Sequence, residues 1–304
     1  MARKYHNVVL FLGMAVLFGG AFPAIKAGLD FFPPLLFATA RYLLSAALLL
    51  GYAVVTTDDW WPRTQGDRLA VLAGGTFFVG GTGLAFVGQQ FTTSGVAAIL
   101  FALIPILTPL VALFVLPGER LSQRELVGVV VGFVGVGFVV QPDPSAADPG
   151  VLGETLIVLA AVSVTLGTVL VRRSHPSMSV VALTGWAMVI GATIQFGFSV
   201  ALGESVTAIQ LTPSAVLTVG YLAVFASGVG FVLYFTLLER FGPLEINLVA
   251  YLQPVVAVAV GRIILGEPLT LGMLVGFLVI AAGFALLKNK EIATELARYR
   301  GAAR

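Results

Sequence analysis

The sequence predicts an all-α integral membrane protein, with ten transmembrane helices in two inverted-topology five-helix repeats. Three observations predict it: an apolar excess that water would not tolerate, ten apolar runs of membrane-spanning length, and a stretch that occurs twice. Hydrophobic residues make up 58% of the chain and charged residues 11%, with a mean hydropathy of +1.01. Soluble domains carry about 25% charged residues, so this chain cannot clothe a globule in polar surface, whereas lipid accepts its exterior directly. The net charge of +2 does not mark a nucleic-acid binder, because the basic residues are strung along short breaks between apolar runs. The absence of cysteine excludes disulfides and thiolate chemistry.

A bilayer core of about 30 Å needs roughly 20 apolar residues per helix. The runs fall at 8–28, 35–56, 69–88, 95–116, 124–140, 151–171, 180–202, 213–236, 244–265 and 269–287. The first follows MARKYH and reads as a retained span, since Phe22, Pro23 and Lys26 stand where a signal-peptide cleavage site would be. Cytoplasmic loops collect Lys and Arg. With the N-terminus inside, the cytoplasmic side gathers Arg3, Lys4, Arg63, Arg68, Arg120, Arg124, Arg172, Arg173, Arg240 and the five basic residues from Lys288 onward. Lys26 and Arg262 fall at outer helix ends, and Arg41 lies inside the second run. The expectation is a multi-pass plasma-membrane protein with both termini cytoplasmic.

The repeated stretch runs from Pro105 to Gly135 and again from Pro254 to Gly283. Gly118, Glu119, Gly128 and Gly135 meet the same residue types 148 positions later, at Gly266, Glu267, Gly276 and Gly283. Duplication is the direct reading. Five spans per half force the second copy into the membrane from the opposite face, the inverted build of many secondary transporters. The division is then 1–141 for the first half, 150–288 for the second and 289–304 for a cytoplasmic tail.

Tandem halves, an Arg early in the second span (LLFATARYLLSAALLL), a fourth span ending GERLS, a ninth ending GEPLT and the run AVFASGVGFVLYFTLLERFG together resemble the EamA branch of the drug/metabolite transporter superfamily. The resemblance covers nearly the whole chain. It implies ten helices, a central cavity and transport of a small polar or amphipathic metabolite, with amino-acid-like compounds and export favoured. A membrane receptor or assembly subunit that binds ligand without flux is the alternative.

Several residues are expected to matter. Pro105 and Pro254 sit halfway along their spans, and each frees the carbonyl four residues earlier, at Phe101 and Ala250. They are the hinge or kink candidates. Arg41 costs at least ~2.5 kcal/mol at mid-membrane and needs a partner. That partner is either a carboxylate or helix-end carbonyl, or an anionic substrate group. Gln89, Trp186, Tyr234, Tyr251 and Gln253 form a pool of polar and aromatic candidates for the same substrate site, with inter-helix hydrogen bonding as the competing role. Glu119 and Glu267 are expected to cap the helix that follows each, with proton coupling as the other role open to them. No metal ligand set, cofactor fingerprint or catalytic motif occurs, and GGTGLAF near Gly80 lies inside a span. The expected partners are a small molecule and the lipid bilayer, with oligomeric state undetermined.

Overall fold

The computed structural model describes residues 2–140, 149–231, 233, 234, 237, 251–289, 291 and 293, with side chains from residue 9. Residues 141–148, the carbonyl expected to be freed at Ala250 and most of the tail lie outside the described residues. Among the described residues every regular element is helical. In chain order these are α1 (Ala2–Gly19), α2 (Ala21–Gly28), α3 (Pro34–Thr56), α4 (Gln65–Ala73), α5 (Gly80–Gly88), α6 (Ser94–Phe101), α7 (Ile104–Val115), α8 (Gln123–Val140), α9 (Pro149–Ser174), α10 (Val180–Ala201), α11 (Pro213–Gly220), α12 (Leu252–Ile264) and α13 (Leu271–Leu287). Among the described residues seven helical runs are long and apolar enough to cross a membrane, and Pro213–Val229, α12 and α13 are shorter apolar helices. The third run starts at Gln65 because Thr64 and Asp67 form a capping box, each side chain bonding the other's backbone N–H.

Several runs are interrupted by local chemistry. Gly74–Val79 joins α4 to α5 as a π-helical segment, and Tyr221–Val229 extends α11 in the same way. A π segment misaligns the hydrogen-bond ladder and leaves carbonyls needing partners. Gln195 Nε2 reaches the Val79 carbonyl at 2.8 Å and the Thr82 hydroxyl reaches it at 2.6 Å. Between α6 and α7, Ala102 and Leu103 form a turn, and Pro105 sits in the first turn of α7. The Tyr251 hydroxyl donates to the Ala102 carbonyl at 3.2 Å, so the break on one side of the bundle is satisfied by the residue beginning α12 on the other.

Helices approach closely where glycine allows it. A Cβ on Gly128 would stand 2.6 Å from the Gly283 carbonyl oxygen, and one on Gly135 2.8 Å from that of Gly276. This is the close backbone contact expected of small residues in a membrane interface. It locks α8 onto α13.

The bundle has two unlike faces. On one, long-range side chains bond to helix ends. Pro33 and Pro34 offer α3 no capping hydroxyl, so Glu204 accepts from the backbone N–H of Leu35 at 3.0 Å and of Leu36 at 2.9 Å. Glu267 accepts from the Ser94 N–H at 2.8 Å and its hydroxyl at 2.6 Å. Lys26 Nζ donates to the Gln89 carbonyl at 2.6 Å, at the C-terminus of α5. Each places charge where the helix dipole favours it. The expectation that Glu267 and Glu119 cap the next helix is corrected here. Thr270 caps α13 and Ser122 caps α8 in a reciprocal pair with Glu125, which leaves both glutamates free to reach elsewhere. Glu119 pairs with Arg172 at 2.9 Å on the opposite face, in the open.

Candidate functional site

A cavity of about 870 Å³ enters the bundle from the face that carries Glu119 and ends beneath the face sealed by Glu204, Glu267 and Lys26. Its mouth is ringed by charges of both signs, Glu119, Arg120, Glu125, Arg172, Lys288 and Glu291. Its inner walls are aromatic, including Phe22 and Phe101, whose rings meet edge to face at 5.4 Å between centroids.

Arg41 lies at the inner end. It is the eighth residue of α3, roughly 10 Å below the closed face at 1.5 Å per residue. Its side chain lines the cavity, yet the residue is only 9% exposed. The guanidinium carbon stands 4.8 Å from the Tyr42 ring centroid and 5.8 Å from that of Phe86. Cation–π attraction supplies ~0.5–2 kcal/mol, less than a buried charge loses with its water. Nε is buried without a hydrogen-bond partner, and among the described residues no carboxylate pairs with the group.

Gln89 closes the same end. It is 0% exposed, and neither Nε2 nor Oε1 has a partner. Gln253 and Tyr234 also line the cavity, as does Pro105. The structure therefore brings together Arg41, Gln89, Tyr234, Gln253 and Pro105 from the expected pool.

The others are placed elsewhere. Trp186 donates its Nε1–H to the Trp60 carbonyl at 2.9 Å and meets Trp61 edge to face, holding the 57–64 connection. Tyr251 is committed to the Ala102 carbonyl and packs on Phe284. Pro254 lines a separate, almost wholly apolar groove on the outside of α12 and α13.

Three residues missing from the expected pool, Tyr42, Thr82 and Phe86, also line the cavity. Thr82, Phe86 and Gln89 stand at helical i, i+4, i+7 spacing on one face of α5, a signal present in the sequence. The Tyr42 hydroxyl is hydrogen-bonded to that of Thr82 at 2.9 Å, which fixes the ring beneath Arg41. The end of the cavity thus offers a cationic fork, an unfilled amide with donors and an acceptor, and aromatic faces.

A family model for EamA-like transporters matches residues 7–141 and 151–288. The chain belongs to the EamA-like transporter family. Among relatives, an uncharacterized transporter of Bacillus subtilis named YvbV is 28% identical over 306 residues, covering 97% of this chain and 95% of its own. The Escherichia coli inner membrane transporter YedA is 28% identical over 256 residues, covering 84% and 81%. A probable amino-acid metabolite efflux pump of Escherichia coli is 28% identical over 307 residues, covering 93% and 94%. A solved crystal structure at 20% identity aligns over 96% of this chain and 97% of that one with a TM-score of 0.65, which establishes likeness of fold. This EamA chain is thus a membrane transporter by family.

Proposed function

We propose that this protein moves a small polar or amphipathic metabolite across the plasma membrane by alternating access, as a secondary transporter or facilitator. Ten spans in two inverted five-helix halves form its frame. The observation that carries the reading is Arg41: a buried cation without an ionic partner among the described residues, at the end of a deep, one-sided cavity. A structural anchor would have its counter-charge in the protein, whereas a binding group awaits it from the substrate.

The inverted frame is supported by reciprocity. Gly128 meets Gly283 and Gly135 meets Gly276, and each contact maps onto the other when the halves are exchanged by 148 positions. The two π segments start 147 positions apart, at Gly74 and Tyr221. With the basic residues inside, the Glu119 face is cytoplasmic, both termini are cytoplasmic, and the conformation is open inward and closed outward. Export is favoured because close-length relatives are named as metabolite efflux pumps, and amino-acid-like compounds are favoured for the same reason. The acids lining the cavity among the described residues, Glu119, Glu125 and Glu291, all stand at its mouth. Exchange or facilitated diffusion therefore fits as well as proton coupling.

The test is flux in proteoliposomes across a metabolite panel, with and without a pH gradient. Saturable flux is expected, with Arg41→Lys folding normally and shifting KM. A compound that stabilises the protein thermally but never crosses would point instead to a receptor.

A further inference from the structure

The inner end of the cavity is unbalanced in charge. Arg41 supplies a cation there, while the acids that line the cavity among the described residues are confined to the mouth. A substrate's ammonium group brought to the level of Arg41 would face a guanidinium and no carboxylate. In a low-dielectric site, like charge held close is strongly unfavourable. A carboxylate in the same place gains charge-assisted hydrogen bonds in the fork geometry that arginine presents.

Gln89 adds a second requirement. Its amide is fully buried with donor and acceptor both unmet, and a buried polar group left so costs about 1–3 kcal/mol. Gln195 differs in part: its Oε1 is also unmet, but its Nε2 is tied to Val79 and it lies outside the cavity wall. Gln89 is one helical turn from Phe86 on the same face of α5, and Phe86 stands beside the Arg41 guanidinium. Both groups belong to the lining of the same cavity. Tyr42 and Phe86, 6.4 Å apart between ring centroids, are the aromatic residues that line the cavity beside Arg41.

We infer that the cavity selects amphipathic organic monoanions over zwitterions of the same skeleton. The carboxylate meets Arg41, a neighbouring neutral amide meets Gln89, and an aromatic or aliphatic body lies on Tyr42 and Phe86. An N-acylated amino acid has this chemistry and a free amino acid does not. The inference takes the location of the site from the transport reading but concerns binding alone.

The experiment uses the full chain in lipid nanodiscs and measures equilibrium binding of four probes: N-acetylphenylalanine, 3-phenylpropionate, phenylalanine and phenylalanine methyl ester. N-acetylphenylalanine is expected to bind at least about tenfold more tightly than phenylalanine, a gap of one good hydrogen bond or more, and the ester is expected not to bind. Gln89→Leu should weaken N-acetylphenylalanine about tenfold while leaving 3-phenylpropionate unchanged. Gln89→Glu, of nearly the same volume, should weaken both anions and improve phenylalanine. Equal binding of phenylalanine or the ester to the wild-type protein overturns the inference, as does failure of either anion to bind. The same probes in proteoliposome counterflow separate the two readings, because anion binding without exchange upholds the selectivity and removes transport.

Discussion

At the scale of single residues, Arg41 was legible and its role was not. Its position in an apolar run announced an expensive charge, but whether a partner awaited it depended on helices far away in sequence. The structure leaves the guanidinium on two aromatic faces and without an ion pair among the described residues. A stability measurement distinguishes anchor from binding group. Replacing an unpaired buried charge by an apolar side chain is neutral or stabilising, whereas removing one member of a buried pair costs ~3–5 kcal/mol. Arg41→Leu is therefore expected to keep or raise the thermal midpoint while abolishing ligand stabilisation; a fall of more than about 3 °C would make Arg41 an anchor. Trp186 and Tyr251 looked like equal candidates because a buried N–H or O–H must be satisfied. Their partners are the backbone carbonyls of Trp60 and Ala102, which no side-chain pattern reveals.

At the scale of elements, apolar length against bilayer thickness is a strong constraint, and among the described residues seven of the ten expected runs are helices of spanning length while the last three are shorter apolar helices. The caps were less legible. Turn glutamates were expected to serve the next helix, yet Thr270 and Ser122 already do that. Glu267 instead crosses to Ser94 and Glu204 to α3, so acids fasten separate segments together on the closed face. A charge-assisted bond of this kind contributes about 1.5–3 kcal/mol. Glu267→Gln should thus shift the population away from the conformer closed at the Glu267 face by about tenfold or more. The chain has no cysteine, so Ala98→Cys on the cavity wall is a clean reporter. Its labelling by an impermeant maleimide from outside should rise in the Glu267→Gln background, and an unchanged rate would mean that Glu267 is not part of the closure. The glycine contacts belong to this scale too. Gly283→Val places carbon where the Gly128 carbonyl and Gly132 backbone already stand, 2.6 and 2.7 Å from a Cβ. Overpacking of this sort costs ~1–3 kcal/mol, so the thermal midpoint should fall; a midpoint equal to wild type would contradict the tight α8–α13 seam.

At the scale of the whole molecule, the duplicated Pro, Gly-Glu and Gly pattern marked the two halves, and the family match covers residues 7–141 and 151–288. What the pattern did not reveal is the asymmetry between its copies. Glu267 is locked into a closed face, while its counterpart Glu119 stands at an open mouth with Arg172. Alternating access in the proposed inverted repeat requires two equivalent halves in different states, with Arg41 and Gln89 as the proposed site between them. Saturable flux through that site is what transport by this protein most directly requires. In proteoliposomes of matched orientation, wild-type protein should exchange a ligand that stabilises it, and well-folded Arg41→Lys should do so with an altered KM. Identical kinetics in the two proteins, or stabilisation by ligand with no flux at all, would contradict it.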